Sequence, residues 1–253
     1  MAKIRAFKAI RPVRDKVHLV ATRPYYSYKK NVLKAKLEDN PFTFLHIINP
    51  EFGATIKTKP NSVERFAQVR HKFELFKQRG ILIEDQEAHI YIYRQSNENQ
   101  SFTGFFAGVS VADYLDGKIK IHEETLTARE DVFTKYLEVV GFNAEPVLMT
   151  YESQPDLQAF LDQYTQTRAE YEFTTTDCIK HEIWLVSPSD SQAICASFEN
   201  VAALYIADGH HRSASSVRYA QKLSESKQQS HAAAQFFLSY LVDEKTVQIA
   251  GRF

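Results

Sequence analysis

The feature that most restricts this chain lies near its C-terminal end. An apolar run, Val201 to Ile206, leads into Ala207-Asp208-Gly209-His210-His211-Arg212, and a helix-like run, Ser213 to Leu223, leads out. A carboxylate, two imidazoles and a guanidinium therefore fall at a strand-to-helix turn built on glycine. Asp208 and Gly209 suit a tight turn, because glycine adopts positive φ without a Cβ penalty. Turns of this kind expose backbone N–H groups at a helix N-terminus, which favours anions. The adjacent histidines and the aspartate add proton-transfer or metal-binding capacity. The alternative is a plain helix cap with two histidines packed for structure.

With 253 residues, of which 44% are hydrophobic, the chain is long enough to bury a real core. It reads as a single domain over 1–253, or as a fragment of a longer protein, with a sub-division near 110–120. Lysine plus arginine and aspartate plus glutamate both number 31, so the formal charge is zero. That balance argues against a general nucleic-acid or anionic-membrane binder. The cysteines, Cys178 and Cys195, show neither CxxC spacing nor a disulfide framework, and a reducing cytoplasm fits them. No apolar h-region follows the basic residues near Met1 and no run is long enough to span a bilayer, so neither a signal peptide nor a membrane span is expected.

Pattern and turn chemistry predict an α/β or α+β architecture, a mixed β-sheet flanked by helices. The first ~60 residues read as extended or irregular, punctuated by Pro12, Pro24, Pro41, Pro50 and Pro60, with Thr43 to Ile48 as a strand. A helix capped by Asn61 or Ser62 carries Phe66, Val69, Phe73 and Phe76 at helical spacing and ends at Gly80. Ile81 to Glu84 and Ala88 to Tyr93 read as paired strands. After the polar turn Gln95 to Gln100, Phe102 to Val111 continues as a strand. Thr127 to Glu130 has the form of a capping box before a helix ending at Gly141. Strands at Pro146 to Tyr151, Glu172 to Thr176 and Glu182 to Ser187 then alternate with helices at Ser153 to Thr167 and Ser189 to Phe198. Gln228 to Ala234 reads as a loop, and Phe236 to Val242 and Thr246 to Phe253 as two final strands.

Arg212 falls in the first helical turn, where a cation opposes the macrodipole unless both meet an anion. Arg212 offers a bidentate grip, and Ser213, Ser215 and Ser216 offer hydroxyls. A second group, His122-Glu123-Glu124, follows Lys118 to Ile121, and a strand ending there presents both side chains at its tip. The alternative is a solvated acidic turn before Thr127. Arg23-Pro24-Tyr25-Tyr26 is a rigid loop with an arginine beside two aromatics. The sequence holds no GxxxxGK[ST], no GxGxxG after a strand, no HExxH and no GxSxG. Adjacent histidines rarely point at one ion, so Asp208, His210 and His122 supply three metal ligands only if folding joins them.

Taken together, Ala207 to Arg212, His122-Glu123 with Thr125 and Arg129, His181 with Trp184, and Ile4 to Pro12 resemble the bacterial family of unknown function numbered 1015. The chain departs from it in two ways. Family members often carry a Pro-Pro-Tyr-Asp-type loop where this chain has Arg23-Pro24-Tyr25-Tyr26, without the carboxylate, and they are usually longer, which agrees with a fragment. Gly209, His211 and Arg212 are also similar to the Gly-x-His-Arg turn of the ParB-like and sulfiredoxin-like superfamily, which includes nucleotide-dependent enzymes and a free-serine kinase. That resemblance implies that Gly209 to Arg212 cradle nucleotide phosphates while Asp208 orients a group or a metal.

The expected site has Asp208, His210, His211, His122 and Glu123 in catalytic roles and Gly209, His211, Arg212 and Ser213 on phosphate. The expected activity is a nucleotide-dependent phosphotransferase acting on a small hydroxylated metabolite, with a nucleotide and Mg as the implied cofactor. The alternatives are a non-catalytic nucleotide or ligand sensor and a metal-assisted hydrolase.

Overall fold

A computed structural model describes residues 2–226 and 232–247. In chain order the elements are β1 (Ile4–Arg5), β2 (Ile10–Pro12), α1 (Val17–Val20), α2 (Lys30–Asp39), α3 (Leu45–Ile48), α4 (Val63–Gln78), β3 (Leu82–Glu84), β4 (Tyr91–Ser96), β5 (Ser101–Ser110) and α5 (Val111–Leu115). There follow β6 (Ile119–Lys120), α6 (Thr127–Val140), β7 (Val147–Tyr151), α7 (Pro155–Thr165), β8 (Tyr171–Thr174), β9 (Lys180–Leu185), α8 (Pro188–Phe198), β10 (Leu204–Asp208), α9 (His210–Glu225) and β11 (Phe236–Asp243). Short 3-10 turns join several of them.

The expected mixed sheet flanked by helices is what forms. Nine strands make one sheet in the order β6-β10-β7-β11-β5-β4-β9-β8, with β1 pairing the far end of β5; β2 and β3 form a separate two-stranded ladder. The β6–β10 and β7–β11 pairs are parallel, and the other pairs are antiparallel. Two apolar clusters result. One joins the sheet to residues of α7, α8 and α9, such as Leu157, Phe198 and Val217; the other gathers α4 and its neighbours around Phe66, Phe73 and Phe76. Burial of each such side chain contributes roughly 1.5–3 kcal/mol.

The middle of the sheet depends on close approach. At Gly104 on β5, an added Cβ would lie 2.2 Å from the Leu241 carbonyl oxygen of β11. Backbone cannot yield there without breaking the ladder that pairs Gly104 with Val242.

Several segments depart from the sequence reading. The first 60 residues hold α2, not only irregular chain, because Lys30 to Asp39 has a helix-compatible composition that the flanking prolines mask. Thr43 to Ile48 turns into α3 rather than a strand; a six-residue apolar run has no period long enough to separate the two, and here Leu45 and Ile47 are buried in helical form. Leu82–Glu84 pairs with β2, not with the following strand, and Tyr91–Ser96 pairs with β5 and β9.

Thr127 caps nothing: Leu126 occupies the N-cap of α6, and the Glu130 carboxylate receives a short hydrogen bond from the Thr125 hydroxyl. The capping box therefore fails by one position. Ser62 does cap α4, accepting from the Arg65 N–H at 3.3 Å. Ala232–Gln235 is a 3-10 turn, whereas Gln228 to His231 and most of the expected strand Thr246 to Phe253 lie outside the described residues.

Gly104→Ala should destabilise the fold by about 2–4 kcal/mol, in the range of severe core strain. Thermal or urea unfolding would measure it. A change under ~0.5 kcal/mol would mean that β5 and β11 separate locally at little cost.

Candidate active site

The parallel pairing of β6 with β10 builds the site. Ile119 lies beside Leu204 and Lys120 beside Tyr205, so both strands end at the same sheet edge. Crevices outside the carboxyl ends of parallel strands are where α/β sheets hold ligands. The chain leaving β6 carries His122 and Glu123, and the chain leaving β10 passes Gly209 into α9. Three of the expected residues, His122, Glu123 and His210, thus meet. The His122 and His210 rings stand 4.5 Å apart, nearly perpendicular, and the Glu123 carboxylate lies 3.4 Å from His210 Nδ1.

His210 is the first residue of α9 and only 4% exposed, while the Glu123 side chain is 62% exposed. Among the described residues, neither His210 Nε2 nor His211 Nδ1 has a hydrogen-bond partner, although both atoms are buried. A buried, unpaired polar atom is costly, and native structures keep few of them. Burial, and next the neighbouring His122, hold the His210 imidazole below its ordinary pKa; Glu123 and Asp208 oppose that shift. The shift favours the neutral imidazole, and the Glu123 carboxylate lies on its Nδ1 side.

Gly209 has φ +100° and forms the N-cap of α9 without a side-chain cap. The Ser213 N–H bonds the Gly209 carbonyl at 3.0 Å, closing the first helical turn. The N–H groups of His210, His211 and Arg212 precede that bond, so the helix gives them no partner. An added Cβ at Gly209 would lie 3.1 Å from Arg212 Cζ. The guanidinium folds back over the turn, close against the bare Gly209 position.

Arg212 is already engaged. It donates to the Pro146 carbonyl and to the Asp208 carboxylate, and Glu145 lies 3.8 Å away. A register shift in β10 between Ile206 and Asp208, where β10 pairs β7, accompanies the placing of that carboxylate. Asp208 is thus Arg212's direct partner and reaches His210 only through its charge.

The Ser213 hydroxyl turns inward to the His210 carbonyl at 2.9 Å, and the residue is fully buried. The Ser215 and Ser216 hydroxyls bond the carbonyls of His211 and Arg212. None of the three points at the turn, because each returns its bond to the preceding helical turn. Glu145 and Pro146 are the residues the sequence reading missed. They lie 66 or more positions before Arg212, and no local pattern links them.

Other expected groups fall elsewhere. Arg23 pairs with Asp177 at 3.0 Å, and Tyr25 and Tyr26 are exposed; Asp177 follows β8, at the opposite end of the strand order from β6. His181 bonds the Tyr93 hydroxyl at 2.6 Å, and the buried Trp184 bonds the Thr167 carbonyl at 3.1 Å. Among the described residues, no three His, Cys, Asp or Glu side chains converge as metal ligands. Asp208, His210 and His122 do not form such a set.

These features define a mixed α/β protein with a histidine–carboxylate pair at a helix N-terminus. A model of the family described as "Protein of unknown function (DUF1015)" matches residues 4–251, and the chain belongs to that family. No curated protein and no solved structure matches the chain. Among the described residues no helix is long and apolar enough to cross a membrane.

The depressed pKa of His210 has a signed consequence. The unfolded chain binds the proton more readily, so the group contributes stability above pH 6.5 that is lost as pH falls through the lower, folded value. Unfolding free energies of the parent and of His210→Gln, compared from pH 7.5 down to 5, should converge toward the acid end. A difference that widens on acidification would show that His210 is stabilised as the cation.

Proposed function

We propose that the protein is an enzyme that binds phosphate or nucleotide at the Gly209 turn and transfers a phosphoryl group to a small hydroxylated metabolite. The observation that carries this reading is the buried His210 in the first turn of α9, held below its ordinary pKa and with Glu123 on its Nδ1 side. The same turn supplies N–H groups for an anion. His210 takes the proton from the metabolite hydroxyl as the hydroxyl oxygen bonds the terminal phosphorus of the nucleotide. The bond to the departing nucleoside diphosphate breaks, and Glu123 supports the imidazolium so formed. The backbone from Gly209 to Arg212 and the Arg212 guanidinium hold the transferred group; Arg212 shares its fork between that group and Asp208. His122 packs against His210 and keeps water from its ring face.

Phosphoryl transfer relies on positioning and charge stabilisation more than on covalent chemistry. A Mg-nucleotide fits this reading as donor, since Asp208, Glu123 and Glu145 would otherwise repel a bare phosphate chain. The similarity of Gly209, His211 and Arg212 to the ParB-like and sulfiredoxin-like turn points the same way. A cytoplasmic setting suits both the nucleotide and the free thiols of Cys178 and Cys195.

Arg212→Ala should weaken Mg-ATP binding by about 1.5–3 kcal/mol, the range for a hydrogen bond to a charged group. His210→Gln should bind nucleotide nearly as well as the parent yet lose turnover by roughly 10²–10⁴-fold, the usual contribution of a general base. Calorimetric titration and a nucleotide-consumption assay against a panel of small hydroxylated metabolites would measure both. If the parent binds no nucleotide, or if His210→Gln turns over like the parent, the reading fails.

A further inference from the structure

A cavity lies away from the Gly209 turn. It has a volume of about 780 Å³ and lies between one face of the sheet and the segments that cross it. Tyr91, Phe106, Phe173, Ile183 and Leu238 form the sheet wall, from five different strands. The N-terminal segment from Arg5 to Pro12, with Phe44, Phe73 and Phe142, forms the opposite wall. No residue from Asp208 to Arg212 lines it. Pro146 does, but turns its carbonyl away to Arg212. The volume falls in the usual range for small-molecule sites.

Two properties of the lining select an occupant. The first is that, apart from the exposed Asn143, few side-chain hydrogen-bonding groups along the walls are uncommitted. The Tyr91 hydroxyl is committed to Asp85 at 2.6 Å, and the Tyr171 hydroxyl to the Pro12 carbonyl. What remains facing the space is half-buried aromatic rings, among them Phe7, Phe44, Phe106, Phe142 and Phe236. A sugar or a nucleotide would lose its hydrogen bonds to water here and regain few. An apolar body loses nothing and gains ring contacts.

The second property is charge. Three cations line the cavity, Arg5, Lys8 and Arg11, and no aspartate or glutamate does. Arg11 is balanced from outside by Asp85 at 2.8 Å and Glu170 at 3.3 Å. Arg5 lies 5.4 Å over the Phe236 ring and makes one long contact, 3.4 Å, with the Ala232 carbonyl. Among the described residues the exposed Lys8 ammonium has neither an ion pair nor a hydrogen bond. Arg5 and Lys8 thus stand at the exposed side of an apolar chamber with positive charge that no carboxylate in the lining meets.

We infer that this cavity is a second ligand site, for an amphipathic monoanion: an acyl or aryl carboxylate, its apolar body against the phenylalanine rings and its carboxylate at Lys8 and Arg5. The site is separate from the Gly209 turn, and its occupancy does not depend on phosphoryl transfer there.

The test is calorimetric titration with dodecanoate below its micellar concentration, alongside dodecanol and dodecylamine. Dodecanoate should bind saturably at one site and more tightly than either comparator, and Mg-ATP should not displace it. Lys8→Gln, at an exposed position, should weaken dodecanoate by about threefold, as expected for a solvent-exposed ion pair, and leave dodecanol unchanged. Leu238→Trp, which places a larger side chain in the chamber, should abolish binding of both; should it fail to fold, Lys8→Gln still decides. No saturable binding, dodecylamine binding as tightly as dodecanoate, or unchanged binding in a folded Leu238→Trp would overturn the inference.

Discussion

The parallel contact between β6 and β10 is the constraint on which the site depends. It is only two residue pairs long, Ile119 with Leu204 and Lys120 with Tyr205. Yet it makes two chain segments about 85 residues apart leave the sheet at one edge, an arrangement that needs no coincidence once the strands run the same way. An antiparallel β6 would carry His122 and Glu123 to the other end of β10. The contact is braced from both sides. Lys118 N–H, just before β6, closes on the Asp113 carbonyl, and the Ala2 N–H bonds the Val201 carbonyl before β10. Helix α9 is then fixed by α6, through Arg218 to Asp131 at 2.8 Å and Lys222 to Glu138 at 3.0 Å.

Within that frame two electrostatic arrangements sit side by side. His210 is buried against His122, which together with burial lowers its pKa, and Glu123 approaches from the solvent side. Arg212 is charged and shared among Pro146, Asp208 and Glu145. The two do not neutralise each other, because Gly209 lets the guanidinium fold back over the turn, toward β7 and away from the histidines. A Cβ there would crowd the Arg212 guanidinium, and the positive φ strains any other residue. The glycine thus lies between the histidine–carboxylate pair and the arginine–carboxylate pair.

Much of this was legible in the sequence because the signals were local. Asp208-Gly209 marks a turn, Val201 to Ile206 and Ser213 to Leu223 mark its flanks, and His122-Glu123 stands just past a short strand. What the sequence reading misjudged was where α9 begins. The helix starts at His210, so both histidines are helical and Ser213 spends its hydroxyl on the backbone behind it. Pairing partners were not legible either. Nothing in Leu82–Glu84 distinguishes β2 from β4 as its neighbour, and nothing near Arg212 points to Pro146. The aromatic chamber draws its walls from segments spread between Arg5 and Leu238, each unremarkable in composition, and becomes visible only when the strands are ordered.

The most direct test of the account is a chemical-shift map of the protein on addition of Mg-ATP, with the histidine ring signals assigned. The amides of Gly209 to Arg212 and the ring of His210 should move together and saturate at one affinity, with the His122 ring following. Shifts confined to residues away from the Gly209 turn, or backbone changes there that leave the His210 ring untouched, would contradict a site in which one helix N-terminus both holds the anion and positions the base.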